Sequence, residues 1–254
     1  MRDELDQFKT FIRSRWIEVV SIFIGTLLLY LPKMANFSYS IDSEAMINDR
    51  ALVLKSWISI NRYGLVLLRR FLLVGIDLNP FFSNTLAYIL MALSGIILLF
   101  ILTQATKLSR GSQFIGVLVY LFSPIHLEQT NFVLQNAEVM LGMNLLFISF
   151  LVIGLPNQAT SRRRLIAGGL LVAFAFSVYT SFVVGFAAFG VLLLTTQPAR
   201  AKMTSLKAYF QSFGRYVGVF LVSLVGFFVW RAGQMAHARA WDSLSGFGLA
   251  ESAT

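Results

Sequence analysis

Residues 84–105 read NTLAYILMALSGIILLFILTQA, an apolar run without Asp, Glu, Lys or Arg. At 1.5 Å per residue, about 20 such residues cross a hydrocarbon core of about 30 Å, so this run predicts a transmembrane helix. Further apolar runs flank it at residues 17–32, 113–125, 137–155, 165–178, 181–196 and 216–231. Several are shorter than a perpendicular span and call for tilt or burial behind neighbouring helices. The 165–196 stretch is divided in two by the polar step at Ser177, Tyr179, Thr180 and Ser181. Period-2 alternation of the kind that builds an outer-membrane barrel is absent. The chain of 254 residues is 57% hydrophobic and 13% charged, about half the charge of a soluble domain, and its mean hydropathy is +0.71. The reading is an all-α polytopic membrane protein with about seven transmembrane helices, forming one integral membrane domain over residues 1–254.

The first apolar run follows a long mixed-charge opening and precedes Lys33-Met34-Ala35, so it reads as an uncleaved first helix. The net charge of +9 fits cytoplasmic loops facing anionic lipid, and no nucleic-acid partner is expected. Zero cysteines exclude disulfides and thiolate metal sites. Basic residues set the orientation. With the N-terminus cytoplasmic, Arg13, Arg15, Lys107, Arg110, Arg162, Arg163, Arg164, Arg200, Lys207 and Arg215 all lie inside. The two short outer loops, near residues 126–136 and near Tyr179, hold no Lys or Arg.

The first outer loop, residues 33–83, breaks that trend and is far longer than a connector of about 4–6 residues. Two helix-like stretches fall within it. One places Ile47, Ala51, Leu54 and Ile58 at helical spacing; the other, 63–75, sets Leu65, Leu68 and Leu72 against Arg62, Arg69 and Arg70. Both read as helices lying in the membrane surface, apolar side down. Residues 232–254, rich in Gly, Ser and Ala, read as a truncated outer tail, a loop that leads nowhere.

Chemistry concentrates in that first loop. Asp42 and Glu44 follow the membrane exit, where desolvation raises a carboxylate pKa and makes a better base at neutral pH. Alternatively Ser43 caps a helix with Glu44 in its first turn, leaving Asp42 as the chemical residue. Arg62, Arg69 and Arg70 either snorkel to lipid head groups or clamp a phosphate with guanidinium forks. Of the three, Arg62, close after Trp57 and beside Gly64, is the best phosphate candidate. Glu138, entering an apolar helix, is either stabilised by the helix dipole or turned toward an interior ligand site. Tyr179 and Gln135 have the chemistry to bind a sugar. His126 with scattered acids is a weak metal signature. No resident cofactor or metal is called for, though a divalent ion stays open, and no Ser-His-Asp arrangement or P-loop is present.

The stretches Tyr39-Ser40-Ile41-Asp42-Ser43-Glu44 and Ser56-Trp57-Ile58-Ser59-Ile60-Asn61-Arg62-Tyr63-Gly64-Leu65 resemble the bacterial membrane glucosyltransferase-domain family, which includes phage-type O-antigen glucosyltransferases. Asn61 stands where that family usually has Gly. The 132–138 stretch resembles its second acidic position, carried by Glu138, and Tyr179-Thr180-Ser181 resembles a Tyr-Gln step with Thr180 in place of Gln. The resemblance implies a GT-C type bundle and a bacterial inner-membrane enzyme with an extracytoplasmic active site. It implies transfer of a hexose, glucose by the family, from a polyprenyl-phosphate sugar to a cell-surface glycan. On that view Asp42 and Glu44 are catalytic, and Arg62, Arg69, Arg70, Trp57, Glu138 and Tyr179 bind donor or substrate. The rival classes are a lipid-linked-sugar flippase, which calls for mid-membrane charge and broken helices, and a non-catalytic membrane scaffold.

Overall fold

A computed structural model describes residues 2–35, 41–71, 79–124, 126, 131–156, 158, 160–195 and 206–250. All regular structure in them is helical: α1 Arg2–Ser14, α2 Trp16–Ala35, α3 Ile41–Asn48, α4 Arg50–Ser59, α5 Tyr63–Phe71, α6 Pro80–Ala105, α7 Arg110–Leu121, α8 Asn136–Ile153, α9 Arg162–Val178, α10 Phe182–Thr195 and α11 Leu206–Ala250. Four segments are long and apolar enough to cross a membrane, namely α2, α6, α8 and Phe210–Gly233 within α11, and α10 is a shorter apolar helix. The chain is therefore a helical membrane protein. The expected seven elements each fall on a helix, but α7, α9 and α10 have 12, 17 and 14 residues, short of a perpendicular span.

Polar ties at both ends of the bundle fix its helices. At one end Lys33 Nζ donates to Asn131 Oδ1 at 3.0 Å, Asn84 Nδ2 donates to the Lys33 carbonyl at 3.3 Å, and Ser83 Oγ donates to the Val133 carbonyl at 3.1 Å. At the other, Arg15 is buried and donates to Thr103 Oγ1, Gln113 Oε1, the Arg110 carbonyl and Glu18 Oε1. Arg164 and Arg215 donate to the carbonyls of Leu151, Val152, Leu155 and Gln158, which closes the C-terminal end of α8 with cations where its dipole favours them. Between the ends the helices touch closely through small residues. A Cβ on Gly142 would come within 2.7 Å of the Phe182 ring, and one on Gly168 would clash with Ile153.

The loop helices depart from the expected pattern. Asp49 caps α4 by accepting from Leu52 N at 3.0 Å, so the stretch through Ile47 and Ile58 forms two helices rather than one. Val53 and Trp57 are the buried residues of α4, whereas Ile47, Ala51 and Ile58 are exposed. Helix α5 buries Leu65, Leu68 and Arg69 together because positions i, i+3 and i+4 share one face. It docks on α8 and α9 instead of lying free on the surface. Gly64 permits that contact, since a Cβ there would stand 2.9 Å from the Ser177 and Val178 backbone. Of the second stretch, Leu72 lies outside the described residues. The break expected near Tyr179 is present, with α9 ending at Val178 and Tyr179 extended. Within the 232–254 tail, residues 232–250 are a correction: α11 continues as helix to Ala250, through a run of Ala, Gln, Met and Arg that favours it, and residues 251–254 lie outside the described residues.

Candidate functional site

The turn between α4 and α5 aims the first arginine. Arg62 N–H bonds the Trp57 carbonyl at 2.8 Å and Asn61 N–H bonds the Ile58 carbonyl at 3.0 Å, the pattern of a Schellman cap. It requires a left-handed residue after the cap, and Asn61 has φ of 68°. Asparagine tolerates that conformation better than other side chains bearing a Cβ, so it fills the position glycine would hold.

Two arginines seven residues apart, Arg62 just before α5 and Arg69 within it, then reach the start of α8. Arg62 Nη1 donates to Gln135 Oε1 at 3.3 Å, and its guanidinium lies 4.7 Å from the centre of the Tyr179 ring. Its Nε is buried without a hydrogen-bond partner among the described residues. Arg69 Nε and Nη2 both lie 2.6 Å from Glu138 Oε1, with the two side chains 1% and 0% exposed. The Trp57 ring covers this pair, 5.7 Å from the Arg69 guanidinium. Gln135 and Glu138 are three residues apart, so α8 presents one neutral and one anionic acceptor to the two cations.

Three expected site residues thus form one unit. Arg69 does not snorkel to head groups, because the charge of Glu138 draws it inward and Trp57 excludes water from it. Glu138 is not a lone acid at a helix start. Only a buried carboxylate's need for a counter-ion signals this pairing in sequence, and spacing alone does not name the partner. Arg70, one residue on, is exposed and lies apart from them.

Glu44 is exposed. Asp42 lies in the first turn of α3, and its side chain is outside the described part of the structure. Helix α3 begins at Ile41, so Ser43 falls inside it and is not the cap. Asn136, buried, donates to Asn84 Oδ1 at 3.5 Å and links the site to the polar tie at Lys33. Among the described residues, no group of three or more His, Asp or Glu side chains is placed to hold a metal.

In this helical membrane protein two arginines, two aromatic rings and one buried carboxylate gather at one end of the bundle. The family model described as Glucosyl transferase GtrII matches residues 31–232, which include every residue of this site. The chain belongs to that glucosyltransferase family, and its substrates are a sugar donor and an acceptor. No curated protein and no solved structure matches it.

Proposed function

We propose that the protein transfers glucose from a polyprenyl-phosphate donor to a cell-surface glycan, at the extracytoplasmic face of the bacterial inner membrane, on a GT-C type bundle. The observation that carries this reading is the contrast between the two arginines. Arg69 is neutralised by Glu138, whereas Arg62 is held by a neutral amide and a ring face and has no carboxylate partner among the described residues. A guanidinium so held keeps its full charge for a phosphate. A lipid donor also fits an outer face, which lacks nucleotide sugars, and transfer there serves the surface glycan.

In the proposed reaction the Asp42 carboxylate takes the proton of an acceptor hydroxyl. The acceptor oxygen forms a bond to the anomeric carbon as the bond from that carbon to the phosphate oxygen breaks. The bonding pair leaves with the phosphate, whose charge Arg62 balances. A single displacement inverts the anomeric centre. Glu44 assists by positioning the acceptor, and Arg69, Glu138 and Trp57 hold α5 against α8 so that Arg62 stays aimed.

The test is transfer by purified protein from radiolabelled polyprenyl phosphate glucose to added glycan. Wild type should move label out of the lipid. Asp42→Asn, nearly isosteric but unable to accept the proton, should lower the chemical step by roughly 10²–10⁴ while donor binding persists. Full activity in Asp42→Asn would remove the base from this mechanism, and retention of all label in lipid by wild type would remove the reaction.

A further inference from the structure

A cavity of about 680 Å³ lies between α5, α9 and α11, within the range of about 300–1,000 Å³ usual for small-molecule sites. Gly64 and Leu67 of α5, Phe174 of α9, and Phe227 and Trp230 of α11 line it, and Arg70 is the charged residue of its wall. Its wall neighbours the site along the chain. Gly64 is two residues from Arg62, and Ser177, also in the wall, is two from the Tyr179 ring on which Arg62 lies. Tyr63 joins the two flanking helices: its hydroxyl donates to the Phe227 carbonyl at 3.1 Å, and its ring stacks on Phe227 at 5.8 Å. Leu67 and Trp230 are exposed, so the cleft opens sideways. Arg70 has no hydrogen-bond or ion-pair partner among the described residues.

We propose that this cleft receives the prenyl chain of the lipid-linked donor, with Arg70 at its rim drawing in the phosphate end as the lipid enters sideways from the bilayer. The proposal rests on the polyprenyl-phosphate reading given above. An apolar channel beside a cation that has no partner among the described residues complements a lipid with one chain and one phosphate. Its aromatic lining suits a chain that presents methyl branches and double bonds to ring faces. Arg70 then has a task different from that of Arg62: it meets the donor at the mouth, and Arg62 holds it at the point of reaction.

The probe is a polyprenyl phosphate carrying a diazirine on its terminal isoprene and no sugar, irradiated with the purified full chain in detergent. Adducts should map to peptides containing Phe174 or Phe227, and unlabelled polyprenyl phosphate should suppress them while equal phosphatidylglycerol does not. Equal suppression by phosphatidylglycerol, or labelling spread over lipid-facing residues such as Val184 of α10, overturns the proposal. Ala173→Trp, which fills the cleft from α9, should raise KM for a long-chain donor by about tenfold or more, the scale on which an apolar pocket discriminates. KM for a two-isoprene donor should move much less, and Ala173→Leu should show the same bias more weakly. An equal change for both donors, or none, also overturns it. Competed labelling by a protein that transfers no sugar would keep the cleft and remove the reaction; transfer with diffuse labelling would do the reverse.

Discussion

Arg62 and Arg69 carry identical guanidinium groups whose surroundings give them different tasks. Lysine at position 62 would keep the charge but lose both the planar fork and the stack on Tyr179. Since a hydrogen bond to a charged group contributes about 1.5–3 kcal/mol, Arg62→Lys should raise donor KM by at least about tenfold with expression and thermal stability unchanged. An unaltered KM would make Arg62 a structural residue only. His126 offers a second test at this scale. It is 4% exposed and packs edge-on against Tyr120 at 4.9 Å. Burial holds its imidazole below the ordinary value of 6.5. As pH falls through that value, the unfolded chain takes up a proton that the folded chain does not, so stability declines on acidification. The unfolding temperature of wild type should therefore fall more steeply between about pH 7 and pH 5 than that of His126→Leu. Parallel declines would show that other groups govern the acid response.

Helix α5 is the element on which the site depends, and its ion pair with α8 can be dissected. Arg69→Met leaves Glu138 buried without its counter-ion, a loss on the order of 3–5 kcal/mol. Adding Glu138→Leu should recover most of that stability, because a well-packed apolar pair replaces a buried ionic one at little cost. Thermal unfolding of both single variants and the double decides it, and a double variant as unstable as the sum of the singles would refute the coupling. Spacing in the sequence identifies α5 as a helix and pairs Leu65 with Leu68. It assigns Arg69 to a polar face, because a hydropathy pattern places every charge outward. Nothing local tells Arg69 that a carboxylate waits on α8, 69 positions away. For α4 the same limit acts differently: the Asp49 cap is a local bond to Leu52 N that the period of the apolar residues passes over, and Trp57 is buried beside Arg69 of α5.

At the scale of the whole molecule, the basic residues of the short loops and the polar ties at the two ends divide the same helices in the same way. Arg15, Arg110, Arg164 and Arg215 bind carbonyls and acids at one end, while the Arg62 and Arg69 cluster occupies the other. The chain has no native cysteine, so single cysteines report cleanly. Ser43→Cys should react with an impermeant thiol reagent on intact cells, and Ser161→Cys should react only after permeabilisation. The reverse pattern would invert the topology and move the site away from any extracytoplasmic donor.

What the sequence by itself determined is what depends on solvent transfer and short-range backbone chemistry: helices throughout, their order, the break at Tyr179, and the turn at Asn61 and Arg62. Those features follow from apolar length and local polar interruptions, which each segment carries independently of the rest. Its stretches at residues 39–65 and 132–138 also marked the family. Only the tertiary structure decided which charges cancel and which remain. Glu138 removes Arg69 from the pool of free cations and leaves Arg62 with neutral partners; Gly64 admits Ser177, and α11 closes the third side of a cleft beside Arg70. Those outcomes are set by contacts between helices far apart in the chain, and in a low-dielectric interior a single such contact determines whether a charge is available to a substrate.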